Sequence, residues 1–75
     1  MGQPNIRQIE AFRSLMVTGS VTVSARMMGI TQPAVSRLLR DLQDGLGLKL
    51  LEKRGTRLVP TAEGTALYAE VERSF

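Results

Sequence analysis

The sequence predicts one small, mainly α-helical domain that also contains a two-stranded β-hairpin. Apolar residues recur every three or four positions in four separate segments, which is the spacing of helices that bury one face. Glycines follow each of the first three segments, where helices commonly end. A short glycine-containing turn flanked by leucines then interrupts the helical spacing before the fourth segment. A chain of 75 residues is long enough for a single domain.

The first two predicted helices are short and are joined by a tight turn. Apolar spacing predicts a first helix over residues 5–18, and Gly19 is a common helix stop. Ser20 is a suitable N-cap for the second helix, because its hydroxyl can accept a hydrogen bond from a first-turn amide. Gly29 is predicted to end that helix.

The third predicted helix begins with a proline in its first turn. Thr31 is its N-cap candidate, and Pro33 follows where backbone amides have no intrahelical partner, so the missing N–H costs no hydrogen bond. The helix is predicted to run from about Gln32 to Asp44 and to end at Gly45.

The two faces of this third helix differ in chemistry. Its leucines and its valine cluster on one side, and the opposite side carries an amide, a hydroxyl, a proline ring and two guanidinium groups without a carboxylate. Such groups can hydrogen-bond to base edges and to phosphates. We expect base readout from Gln32, Pro33, Ser36 and Arg37, and a backbone contact from Arg40. Two short helices in this arrangement are typical of a helix-turn-helix. The alternative is a plain helical hairpin with a solvated face.

A β-hairpin with a basic tip is predicted after the third helix. Short strands at residues 50–53 and 57–59 flank a turn centred on Gly55. The cations near the tip are Lys53, Arg54 and Arg57. A hairpin in this position is a wing, and wings contact the phosphate backbone or enter the minor groove. The alternative is a basic strand edge that only discourages aggregation.

The fourth predicted helix spans residues 62–75, with Thr61 as its N-cap. It carries an apolar stripe made of Leu67, Tyr68, Val71 and Phe75. This stripe can pack on its own domain or on a second copy of the chain, and we assign the four residues to dimerisation. We divide the chain into a winged helix-turn-helix domain over residues 1–60 and the start of a linker helix over residues 61–75. The chain ends without a cap, so we expect it to be a module of a longer protein.

Charge and composition favour a nucleic-acid partner and disfavour an enzyme. The net charge is +3, and the segment from Arg26 to Arg57 holds seven basic residues against three acidic ones. Histidine and cysteine are absent, which removes the commonest general base and thiolate metal ligands. We therefore expect neither catalysis nor a metal or cofactor in this fragment. The sequence contains no apolar run of about 18 residues, so we expect no membrane partner.

A second reading is a winged helix that contacts only other proteins. Its exposed face would then be apolar or acidic, and residues 32–40 offer neither.

Several sequence blocks, in matching order, resemble the DNA-binding domain of LysR-type transcriptional regulators. The blocks are Gly19-Ser20, Ala25, Thr31-Gln32-Pro33-Ala34-Val35-Ser36-Arg37, Leu46-Gly47, Leu50, Glu52 and Pro60-Thr61-Ala62-Glu63-Gly64. The resemblance covers roughly residues 5–75. It implies that the third helix enters the major groove and that the wing touches the backbone, with Thr31 also facing DNA. Lys53 stands where the family commonly has arginine, which puts a bidentate phosphate contact in doubt.

The resemblance also implies an assembly. The linker helix would pair two domains on an operator with partial two-fold symmetry, and the full-length protein would be a tetramer with an effector domain for an unknown small molecule. It would regulate transcription in the bacterial cytoplasm.

Overall fold

Four helices and a two-stranded sheet make up residues 4–74, the part of the chain that the computed structural model describes. In chain order the elements are α1 (Ile6–Thr18), α2 (Val21–Met28), α3 (Gln32–Leu46), β1 (Leu51–Arg54), β2 (Arg57–Pro60) and α4 (Ala62–Ser74). The two strands pair antiparallel. This order confirms the predicted mainly helical fold with a hairpin before the last helix. None of the helices within this range is long and apolar enough to cross a membrane.

Side-chain caps define the starts of the first three helices. The side chains of Asn5, Ser20 and Thr31 accept hydrogen bonds from the amide three residues further on, at 2.9, 3.1 and 3.2 Å respectively. These bonds satisfy first-turn amides that have no partner within the helix. The predicted N-cap roles of Ser20 and Thr31 are confirmed.

α3 is longer than the sequence predicted. The prediction that Gly45 ends this helix was wrong, because the helix continues to Leu46 and its C-cap is Gly47, with a φ of 67°. A glycine inside a helix costs about 0.5–1 kcal/mol relative to alanine. The two extra residues offset that cost by packing Leu46 against the hydrophobic core. β1 begins and ends one position later than predicted, and β2 begins at Arg57 as predicted but is one residue longer because it includes Pro60.

The hydrophobic core is formed by one face of each of the first three helices and the start of the hairpin. Phe12, Val35, Leu42 and Leu50 are among its fully buried side chains. The apolar face predicted for α3 is therefore confirmed, and its burial orients the opposite face of the helix towards solvent.

The start of α4 is attached to the segment between α3 and β1. The Thr61 hydroxyl donates to the carbonyl of Lys49 at 2.6 Å and accepts from the amide of Gly64 at 3.0 Å. The Thr61 amide donates to the Leu50 carbonyl at 3.0 Å. Thr61 is thus the N-cap of α4, as predicted, and it also links α4 to the segment between α3 and β1. A Cβ atom at Gly64 would collide with the Leu50 carbonyl oxygen, so α4 packs here backbone against backbone.

The apolar stripe of α4 packs partly on its own domain. Leu67 and Tyr68 lie half-buried against the core, and Val71 is only 6% exposed. Phe75, the last member of the predicted stripe, lies outside the described residues. Self-packing was one of the two options for this stripe, and its assignment to dimerisation stays a prediction.

Gly64→Ala is expected to lower the free energy of unfolding by about 3 kcal/mol or more, since the new methyl group meets rigid backbone. Gly45→Ala is the matched control. Gly45 is exposed inside α3, so alanine there is expected to raise the free energy of unfolding by about 0.5–1 kcal/mol. Urea unfolding measures both. Equal unfolding midpoints for Gly64→Ala and the unmodified chain would contradict the close packing of α4.

Candidate nucleic-acid interface

The polar face of α3 is open to solvent. All five residues predicted on it are exposed: Gln32, Pro33, Ser36, Arg37 and Arg40. The N-cap Thr31 is exposed as well. Its hydroxyl oxygen accepts from the Ala34 amide, so its own proton remains free to donate to a ligand. The helix therefore presents hydrogen-bond donors and acceptors on its exposed face, while its opposite, apolar face is packed in the core.

Arg37 has a loose intrahelical partner. Its Nε lies 3.9 Å from Oδ2 of Asp41, one turn further along α3, and the Arg37 side chain is 80% exposed. Exposed pairs of this kind contribute little to stability. The Asp41 carboxylate can therefore orient the guanidinium in the free protein and be replaced by a base edge or phosphate at little cost.

The wing has its turn at Gly55, as predicted. Gly55 has a φ of 64°, a left-handed conformation that glycine adopts without strain. The sheet register places Arg54 directly opposite Arg57. These two residues and Lys53 are exposed. Like charges directly opposite each other on a hairpin repel, so this tip favours an anionic partner.

A cleft of about 300 Å³ joins the beginning of α3 to the wing. Gln32 lines it from α3 and Arg57 lines it from β2, and Ser20 and Thr22 contribute from the start of α2. A residue predicted to read bases and a residue predicted to contact the backbone are thus brought to the same cleft. One anionic polymer lying across α3 and the wing can reach both.

Gln43 connects α3 to the wing, and the sequence reasoning missed it. Its Oε1 accepts hydrogen bonds from the amides of Leu50 at 2.8 Å and Leu51 at 3.1 Å, and its Nε2 donates to the Leu39 carbonyl at 3.3 Å. The first two amides begin the wing and have no helical partner. No local pattern could have revealed this role, because the partners lie seven and eight residues away along an irregular segment.

One ion pair among residues 4–74 links two helices. Nε of Arg13 on α1 donates to Oε2 of Glu72 on α4 at 2.7 Å. That hydrogen bond and the carboxylate charge raise the pKa of the Arg13 guanidinium, which stays protonated. Within residues 4–74, the structure groups no three histidine, cysteine, aspartate or glutamate side chains in a way that could hold a metal ion.

Comparison with known proteins identifies the family. Residues 6–65 match the profile described as "Bacterial regulatory helix-turn-helix protein, lysR family". The chain belongs to this lysR family. The predicted resemblance to LysR-type regulators is therefore confirmed.

Two curated relatives illustrate the similarity. The chain is 48% identical over 71 residues to the octopine catabolism/uptake operon regulatory protein OccR of Rhizobium meliloti, covering 95% of the chain and 24% of that protein. It is 52% identical over 69 residues to the regulatory protein NocR of Agrobacterium fabrum, covering 92% of the chain and 23% of that protein. The chain thus spans about a quarter of the length of these relatives.

A solved structure with bound DNA has the same fold. The BenM DBD in complex with catB site 1 DNA superposes with a TM-score of 0.85 at 29% identity, covering 92% of this chain and 78% of that chain. The two-stranded wing and the helix order agree with the winged helix of that class, which confirms the predicted winged helix-turn-helix.

Gln43→Leu is expected to lower the free energy of unfolding by about 2–4 kcal/mol, because it leaves the amides of Leu50 and Leu51 without an acceptor. Gln43→Glu is the control, because its carboxylate keeps an acceptor for both amides and loses only the bond to Leu39. It is expected to lose less stability. Urea unfolding measures both variants, and amide hydrogen exchange at residues 50 and 51 locates the effect. Full protection of those two amides in Gln43→Leu would contradict this role.

Proposed function

We propose that this chain is the DNA-binding module of a bacterial transcriptional regulator and binds double-stranded DNA sequence-specifically, without catalysis. The observation that supports the proposal is the exposed face of the first part of α3, where residues 32–40 carry no carboxylate, beside a wing whose tip places two arginines opposite each other. Membership of the lysR family and the shared fold with a DNA-bound BenM domain support it.

In this proposal the first half of α3 reads bases in the major groove. The groove admits an α-helix, and α3 with 15 residues is about 22 Å long. Arg37 binds O6 and N7 of a guanine, and Gln32 binds N6 and N7 of an adenine. Ser36 donates to or accepts from a base edge, and the Pro33 ring contacts a thymine methyl group. Readout by Arg37 requires its guanidinium to leave Asp41.

Phosphate contacts surround this readout. Thr31 donates its free hydroxyl proton near the start of α3, where the partial positive charge of the helix also favours an anion. Arg40 contacts the backbone from further along the helix. From the wing, Lys53 and the opposed pair Arg54 and Arg57 contact phosphates or enter the adjoining minor groove. Such contacts set the register of the protein on the duplex and contribute most of the salt dependence.

We further propose that two copies pair through α4. Residues 1–60 form the DNA-binding domain, and residues 61–75 begin a linker helix. The proposed contact consists of Leu67, Tyr68, Val71 and Phe75. Leu67 and Tyr68 keep part of their surface exposed, whereas Val71, at 6% exposure, supplies little of the contact surface. Paired copies would bind an operator with partial two-fold symmetry. The longer regulator, a tetramer with an effector domain, would act in the bacterial cytoplasm.

Selection of this chain against a random duplex pool at about 150 mM salt tests the proposal, since general electrostatic binding is weakened there. Enrichment of an inverted repeat with half-sites about one helical turn apart is expected. Enrichment of a single half-site would support readout and contradict pairing within this chain. Absence of binding to any duplex, even at low salt, would overturn the proposed function.

Arg37→Ala is expected to weaken binding to the selected duplex by about 1–3 kcal/mol and to relax base preference at one position. Titration of the selected duplex and of its single-base variants measures both effects. Arg7→Ala is the control, since Arg7 is an exposed arginine on α1 paired with Glu10 at 3.2 Å. Equal weakening on every duplex would show that Arg37 does not read a base.

Arg57→Ala is expected to weaken binding to all duplexes by the same factor and to reduce the salt slope by about one unit, because it removes one phosphate contact. Affinities measured across a salt series for the selected and a shuffled duplex give both quantities. A change in base preference without a change in slope would assign Arg57 to readout instead.

A further inference from the structure

A second cleft, of about 260 Å³, lies between α3 and the wing. One water molecule occupies about 30 Å³, so the cleft takes a larger group. Three segments each contribute a cation to it: Arg40 from α3, Lys49 from the segment before β1 and Lys53 from β1. Lys49 has no part in the function proposed above. It lies beside Arg40 and Lys53, which are proposed to contact the DNA backbone, so the three side chains can bind one ligand together.

The charge in this cleft is unbalanced. Glu52 is the one carboxylate among the residues that line the cleft. Its Oε2 lies 3.5 Å from Nη2 of Arg54, a residue that does not line the cleft. Within residues 4–74, none of the ion pairs shorter than 4.0 Å involves Arg40, Lys49 or Lys53. Three cations around one space repel each other and favour a shared anion.

The backbone that carries Lys49 is held on both sides. Its carbonyl accepts from the Thr61 hydroxyl at 2.6 Å, and the next amide, of Leu50, donates to Gln43 at 2.8 Å. The Leu50 carbonyl then accepts from the Thr61 amide at 3.0 Å. The exposed Lys49 side chain therefore extends from a fixed base, so less conformational freedom is lost when it contacts a ligand.

The geometry of duplex DNA identifies the anion. A single sugar–phosphate strand separates the major groove from the adjoining minor groove. A protein with a helix in one groove and a wing in the other must let that strand pass between helix and wing. We infer that the cleft seats this strand and that Lys49 contacts a phosphate there, together with Arg40 and Lys53. The inference rests on the proposed function, because it requires α3 and the wing to engage one duplex.

Lys49→Gln tests the inference, with the duplex selected by the unmodified chain and a shuffled duplex as probes. Loss of one phosphate contact is expected to reduce the salt slope by about 0.9 and both affinities by about fivefold at 150 mM salt. Base preference is expected to stay unchanged. Arg73→Gln is the matched control: it removes the same charge from α4, where Arg73 pairs with Glu70. A smaller, slope-preserving effect is expected from it.

Phosphate ethylation interference locates the contact. For the unmodified chain, ethylation is expected to inhibit binding at phosphates between the bases read by α3 and the minor groove occupied by the wing. Lys49→Gln is expected to lose its sensitivity at one of these phosphates and to keep the others. Loss of sensitivity only at phosphates outside this interval would overturn the placement of the strand.

Glu52→Gln is expected to change affinity and salt slope in the direction opposite to Lys49→Gln. It removes the carboxylate from the cleft and releases Arg54, so tighter binding to both duplexes and a steeper salt slope are expected.

If Lys49→Gln matches Arg73→Gln in slope and in interference pattern, the inference is overturned, while sequence selection by the unmodified chain keeps the proposed function. If the unmodified chain binds no duplex, both fail.

Discussion

The short segment between α3 and β1 connects α3, the wing and α4 in one fixed arrangement. On one side, Gln43 accepts the two amides that begin the wing. On the other side, Thr61 binds two successive carbonyls of the same segment. Irregular backbone in a small domain loses water on folding, and its polar groups must find partners. Here these partners come from α3 and from the start of α4. The hydrogen bonds to the backbone of this segment therefore also fix the orientation of both helices relative to the hairpin.

This arrangement explains how so small a domain can present a rigid surface. The buried face of α3 is apolar, and the exposed face consists almost entirely of hydrogen-bonding groups. The wing adds exposed cations at a fixed distance from α3, because its strands start at the anchored segment. In the proposed function, position along DNA and sequence readout would thus depend on two different sets of side chains, which one small core holds in a fixed arrangement.

Most of the fold could be predicted from the sequence because its signals are local. Helix caps act within three residues, the apolar faces follow helical spacing, and Gly55 specifies its turn. The end of α3 was not predictable in this way, because tertiary packing of Leu46 outweighs the weak helix-breaking tendency of Gly45. The exposed residues on the polar face of α3 could also be predicted from helical periodicity.

The hydrogen bonds of Gln43 and the proposed phosphate contact of Lys49 could not be predicted from the sequence, because both depend on how separate segments pack together. In the sequence, Gln43 looks like any other polar residue near a helix end. Only the folded chain shows its two amide partners. Lys49 becomes notable only when α3 and the wing are placed side by side. Likewise, periodicity could not divide the stripe of α4 into the part that its own domain covers and the part left exposed, since both parts have the same spacing.

The opposed arginines at the wing tip give ionic strength two contrary effects. In the free chain, Arg54 lies opposite Arg57 across the hairpin, and their repulsion grows as salt is removed, while Glu52 at 3.5 Å from Arg54 offsets part of it. In a complex with a polyanion, the same two charges become attractive, and removing salt strengthens that attraction. Dilute buffer therefore strengthens the repulsion between these two arginines in the isolated chain and their attraction to the partner in the complex.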